Sequence, residues 1–194
     1  VEKNIDMKFR LLVVVLIIIL FSSCERKTEY EKVKQKELSS GRVEEELFLG
    51  LKFGMERKDF YSTCWEMNKE GILMQGAHSL MVEFKPSLPS GKTASMFFYP
   101  EFENGKIFYM PVEFQYSGWF PTNPDFSSQN LLEDVVGYFE ELYGKGFFKV
   151  EDSKGTFAMV KIDGNRMVRV YIKSLSAVRV DILDLRIKDI KDIA

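Results

Sequence analysis

Ala94-Ser95-Met96-Phe97-Phe98-Tyr99-Pro100-Glu101-Phe102-Glu103-Asn104-Gly105-Lys106-Ile107-Phe108-Tyr109-Met110-Pro111-Val112-Glu113-Phe114-Gln115-Tyr116 is the stretch whose reading decides the fold. Two runs rich in Phe and Tyr, 94–102 and 106–116, flank an Asn-Gly pair. Asn-Gly between such runs is a strong hairpin signal, because both loop positions of the tight turn need positive φ. An antiparallel pair is therefore expected here. Pro100 and Pro111 have no N–H to give to a ladder, so a sheet edge or a bulge is expected at each.

Working toward the N-terminus, Leu80, Val82 and Phe84 alternate within Ser79 to Lys85 and predict another strand. Before it, residues 55–70 predict a helix. Phe60, Cys64 and Met67 form its apolar stripe, and Gly71 stands at its C-cap. Cys64 is thus expected on the core side as a small buried hydrophobe rather than a reactive thiol. Toward the C-terminus, Ser117-Gly118-Trp119-Phe120-Pro121-Thr122-Asn123-Pro124-Asp125 reads as a loop. A second helix is predicted over 128–143, with Leu131, Val135, Phe139 and Leu142 as its stripe. Glu133 and Asp134 lie near its positive end, and Gly144 stops it. Four strands follow at 147–152, 156–163, 166–173 and 177–186, with Asp163-Gly164-Asn165 as a hairpin turn. A change of phase between Ile182 and Leu183 predicts a bulge or the strand's end there.

Helix then three strands, followed by helix then four strands, predicts an α+β domain. Two successive helix-plus-β-meander units build an antiparallel sheet with two helices on one face. Residues 47–194 are assigned to this single domain. Its element order, with Gly54-Met55 at the first helix, resembles the SmpA/OmlA-type envelope lipoproteins and the tandem units of β-lactamase-inhibitor proteins. That resemblance carries over no ligand-binding residue.

The N-terminal part carries a different signal. Lys8 and Arg10 precede an uninterrupted apolar run, Leu11 to Phe21, which ends at Ser22-Ser23-Cys24. A basic region, an apolar region and small residues at a cleavage site are the three parts of a secretory leader, with Met7 as the expected start. The run is too short for a bilayer core that needs about 20 residues. Leu20-Phe21-Ser22-Ser23-Cys24 resembles the lipobox of bacterial lipoprotein precursors, with Phe21 where an aliphatic residue is usual. The resemblance implies that residues 1–23 are removed and that Cys24 is acylated, which fixes the protein to a membrane. Residues 24–46 are dense in charge and poor in large apolar side chains, so they read as a lipidated tether. A short solvated helix is compatible with their charge spacing. The chain has two cysteines. Lipid on Cys24 would leave Cys64 without an intramolecular disulfide partner.

Composition narrows the function classes. A chain of 194 residues with 17 Phe can build an aromatic core of one ordinary domain without disulfides or metal. Removal of residues 1–23 leaves 24 basic and 27 acidic side chains, so there is no basic excess for nucleic acid. Ser90-Gly91-Lys92-Thr93 has the end of a phosphate loop but not its beginning, and Ala94 to Tyr99 reads as strand where a helix is required. It is a turn, and no nucleotide is expected. His78 is the one histidine, which rules out a His-rich metal site, and neither metal nor cofactor is expected.

The candidate binding residues are aromatic: Trp119 and Phe120 in the loop, with Tyr99 and Tyr109 from the hairpin. Rings of this kind are favoured at binding hot spots, and their other use is to complete the core. The expected function is that of an envelope lipoprotein with a non-catalytic module. It would lie on a bacterial membrane, the outer membrane foremost, and bind another envelope protein through its sheet face or the Trp119 loop. The alternative is an envelope hydrolase acting on glycans through Glu101 and Glu113, or a glycan-binding module with exposed rings.

Overall fold

The computed structural model describes residues 27–75, 81–152 and 155–189. The expectations placed on Cys24 and on His78 lie outside these residues. Two compact units divide the chain between Lys32 and Val33. In the first, Thr28 and Glu31 form a reciprocal capping box. The Thr28 amide donates to the Glu31 carboxylate (2.9 Å), and the Glu31 amide donates to the Thr28 hydroxyl (3.2 Å). This box opens helix α1, Glu29–Ser39.

The second unit contains the sheet. Helix α2 (Arg57–Lys69) is followed by β1 (Leu73–Gln75), β2 (Val82–Phe84), β3 (Ala94–Phe98), β4 (Glu101–Glu103) and β5 (Lys106–Tyr116). Helix α3 (Ser128–Tyr143) is followed by β6 (Phe148–Glu151), β7 (Phe157–Asp163), β8 (Arg166–Ile172) and β9 (Ala177–Asp184). The nine strands form one sheet in the order β1-β2-β3-β5-β9-β8-β7-β6, with β4 beside β5. Every pairing is antiparallel. The fold is therefore α+β and antiparallel. Each helix-plus-meander unit places its last strand innermost, and the two units join where β5 pairs β9.

One face of this sheet is apolar because alternate residues of each strand point to it. Val112 lies between Phe98 and Val180, and Val180 lies beside Val170. Phe114, Met96 and Val178 form the next row. Both α2 and α3 pack on this face. Phe60 comes from α2, and Leu131, Leu132, Val135 and Phe139 come from α3, all in one buried cluster with those strand residues. Phe139 and Phe114 meet edge to face, centroids 6.0 Å apart. Full burial of one such side chain is worth about 1.5–3 kcal/mol, so this layer dominates the domain's stability. Ser127 caps α3 by accepting from the Asn130 amide, and Gly144 at φ 80° ends it.

Six local expectations change. Strand β1 was not expected from the pattern. It is three residues long, and only Leu73 is buried, which leaves no alternation to read. The run 94–102 breaks at Tyr99-Pro100 into β3 and β4. Pro111 lies inside central β5, between Met110 and Val112, opposite that break rather than at an edge of the sheet. Leu142 is exposed, while Leu132 and Asp134 are buried. Asp134 leaves the helix-dipole role and instead accepts from the Ser90 amide, the Ser90 hydroxyl and the Tyr116 hydroxyl. Finally, β9 runs through Ile182 and Leu183 without a bulge. Both side chains are fully buried, so the change of phase marks a strand covered on both faces.

The segment read as a tether is bonded to the domain, at Asp189 through Lys34 and at the β7–β8 hairpin from Glu37 onward. Lys34 pairs with Asp189, and Glu37 accepts from the Gly164 amide (3.0 Å). The Glu44 amide donates to the Asn165 side-chain carbonyl (2.7 Å), and Arg166 donates to the Glu46 carbonyl (2.8 Å). Gly164 sits at φ 54°, and a Cβ there would lie 2.2 Å from the Arg42 carbonyl oxygen. Only glycine allows so close an approach.

Candidate functional site

The sheet face opposite α2 and α3 carries charge. A β-bulge starts it. The β4–β5 register passes from Glu101↔Tyr109 to Phe102↔Ile107 and skips Phe108. Ile107 therefore joins the core under the helices, while Tyr109 points the other way and donates to Asp181 (2.6 Å). Asp181 is opposite Arg169 on β8 and two residues from Arg179 on its own strand, so all three side chains share one face.

Asp181 is 1% exposed and saturates both carboxylate oxygens. One oxygen accepts from Tyr109 and from Arg179 Nε (3.0 Å). The other accepts from Arg169 Nε (3.0 Å) and Nη2 (2.6 Å). A second Arg179 nitrogen reaches the Tyr109 hydroxyl at 3.2 Å. Burial, reinforced by the Asp181 charge, pushes the Tyr109 phenol well above its ordinary value. Burial alone would pull Arg179 down, but Tyr109 and Asp181 together hold it above its usual value. The cluster is thus two guanidiniums on one carboxylate, locked in place. Arg169 and Arg179 keep 24% and 23% of their side-chain surface in solvent, so the cluster is reached from outside.

The next row of the same face is Phe97, Glu113, Arg179 and Tyr171 across four strands. Glu113 pairs with Lys173 and accepts from Gln115 (2.9 Å). Burial would raise its pKa, yet Lys173 and Gln115 bring it below the ordinary value. A general acid needs the opposite shift. Glu101 sits beside Tyr109, four residues along β5 from Glu113. Their backbone positions are therefore about 13 Å apart along the strand, more than the spacing of paired glycosidase carboxylates. The face presents fixed cations, half-buried rings at Phe97 and Tyr171, and polar neighbours.

The four aromatic candidates are not brought together. Tyr109 belongs to the Asp181 cluster. Tyr99 lies against α2, where its hydroxyl meets that of Tyr61 at 2.5 Å and its ring meets Phe60 edge to face. Trp119 and Phe120 are at the other end of β5. Trp119 is half-buried against the core, and Phe120 is 63% exposed. Sequence reading missed Arg169, Arg179 and Asp181. Their signal was present in Val168-Arg169-Val170 and Val178-Arg179-Val180-Asp181, two strands with unlike charges on one face. It could be used only once β8 and β9 were known to be neighbours.

Other features are weaker as sites. A cleft of about 460 Å³ lies between the 42–50 segment and the end of α3, with Arg42, Leu49, Leu142, Asp163 and Arg166 among its walls. Its guanidinium Arg166 stacks on Tyr143 at 3.8 Å and serves the hairpin clasp. Among the described residues, no group of three or more His, Cys, Asp or Glu is arranged to hold a metal ion. No helix of the described residues is long and apolar enough to cross a membrane. Comparison with protein families, with curated proteins and with solved structures finds no match.

Proposed function

We propose that this chain is a lipid-anchored envelope protein whose α+β domain binds a protein partner over the sheet face opposite α2 and α3, at its part-exposed arginines. The observation that carries the binding half is the Arg169–Asp181–Arg179–Tyr109 cluster on a face that neither α2 nor α3 covers. Ordering two arginines in advance lowers the entropic cost of binding, and their outward surface suits acceptor groups on a partner. Phe97 and Tyr171 supply apolar area beside them. The anchoring half rests on Leu11 to Phe21 followed by Ser22-Ser23-Cys24.

Two measurements test the two halves. Metabolic labelling with palmitate should mark the wild-type chain and not Cys24→Ala. Label retained in that variant, or absent from both, overturns the anchor. For the partner, a photo-crosslinking aromatic placed at Tyr171 in cells should trap one envelope protein, and Arg179→Glu should remove the adduct. The same probe at Glu133, on the exposed side of α3, should trap nothing specific. Equal labelling from both positions, or none from Tyr171, refutes the face as a binding surface.

A further inference from the structure

We infer that the end of the sheet carrying Trp119, Phe120 and Leu175 is a lipid-inserting tip that enters the headgroup–acyl boundary of a phospholipid membrane. The loop after β5 and the β8–β9 turn stand side by side there, joined by the Trp119 indole N–H, which donates to the Leu175 carbonyl at 3.0 Å. Phe120 is 63% exposed and Leu175 is 81% exposed. Water is the most unfavourable surrounding for such side chains, and two of them on adjacent loops form a patch rather than isolated exceptions.

Three observations favour lipid over a protein surface. The first is charge. Residues 117–124 and 174–177 contain no charged side chain, in a chain that is 29% charged. Asp125 and Lys173 are the charged residues that flank the two turns in sequence, and Lys173 is already paired with Glu113.

The second is hydrogen bonding. Backbone bonds already made within the two turns lower the cost of taking them out of bulk water into the headgroup–acyl boundary. Here the Trp119 amide donates to Tyr116 (3.3 Å), and Asn123 donates to Phe120 (2.9 Å). Lys173 and Ser174 both donate to Ala177 (3.0 and 3.2 Å). The Asn123 side chain accepts from Asp125, and the Ser174 hydroxyl accepts from Ser176. The third is shape. Phe120 and Leu175 are exposed on two turns, and a fluid surface accommodates exposed side chains without a matching pocket. Trp119, half-buried against the core beside them, has the amphipathic ring typical of membrane interfaces.

This inference does not require acylation of Cys24, and its test reads the tip alone. The chain has two tryptophans, so Trp65→Phe leaves Trp119 as the sole reporter. The full chain is reconstituted with vesicles of phosphatidylcholine and phosphatidylglycerol that carry bromine high on the acyl chains. Trp119 should lose at least about half of its emission, since an interfacial side chain sits within roughly 5–10 Å of that boundary. Adding Phe120→Ser and Leu175→Ser should abolish the quenching while the thermal melt stays unchanged, because both side chains are exposed. Vesicle-bound chain with unquenched Trp119 would overturn the inference and leave the tip to solvent or a protein. Chain that does not join the vesicles, or quenching that survives the double substitution, would overturn it as well.

Discussion

Asp181→Asn keeps the shape of the side chain and removes the charge that two guanidiniums share. The wild-type carboxylate is 1% exposed and accepts from Tyr109, Arg169 and Arg179. Breaking a fully buried ion pair by removing one partner costs about 3–5 kcal/mol, because the remaining charge is stranded. Here the arginines keep about a quarter of their surface in water, and the amide oxygen still accepts one bond. Those two facts reduce the expected cost to about 2–3 kcal/mol. For a domain of this size, each kcal/mol moves the melting temperature by about 2–4 °C, so a fall of roughly 5–10 °C is expected. Thermal denaturation followed by circular dichroism at pH 7 measures it. Glu113→Gln is the internal control. Its partner Lys173 is half in solvent, so a loss of no more than about 1 kcal/mol is expected. A shift below about 2 °C for Asp181→Asn, or equal shifts for the two variants, would refute the cluster as a locked unit.

Gly164→Ala should loosen the hairpin clasp, because its Cβ would meet the Arg42 carbonyl at 2.2 Å and φ is 54°. The left-handed backbone alone costs roughly 1–2 kcal/mol. Limited trypsin digestion should therefore cut faster after Arg42, and an unchanged rate would count against the clasp. In an alkaline titration followed by phenolate absorbance, Tyr61 should ionise first, because hydrogen bonds from Tyr99 and Arg57 lower its pKa. Tyr61→Phe should remove that first step. Tyr109, Tyr116 and Tyr143 are raised chiefly by burial and should ionise late. Their raised folded values stabilise the fold fully below the ordinary phenol pKa of about 10, and that contribution is lost as pH climbs through the folded values. A single titration step for all tyrosines would disprove this ordering. Burial pushes the Cys64 thiol up to about 11, so an aromatic disulfide reagent at pH 8 should modify it slowly in the native chain and fast in denaturant. Equal rates would show an open thiol.

Local chemistry determined much of this protein from sequence. Asn104-Gly105 supplied two positive-φ positions and hence a turn. Gly144 stopped α3, whose predicted span matches Ser128–Tyr143. Alternation in Val168, Val170 and Ile172 marked β8 because side chains on a strand have a period of two. These signals act over a few residues, so one sequence contains them whole. The apolar run Leu11 to Phe21 and Ser22-Ser23-Cys24, on which the proposed anchor rests, are local in the same way.

What the tertiary structure decided depends on partners distant in the chain. Only the pairing of β5 with β9 makes two meanders one sheet. It also carries Tyr109 to Asp181, 72 positions away, and so creates the charged cluster. Trp119 and Leu175 form a single tip because two turns end at the same edge, 56 positions apart in sequence. The charged 34–46 segment looked too polar to fold alone. It is held by Gly164, Asn165 and Arg166, which supply the hydrogen-bond partners that its own sequence lacks. Propensity and period are properties of neighbours along the chain, whereas a site is a property of neighbours in space, and only packing chooses those.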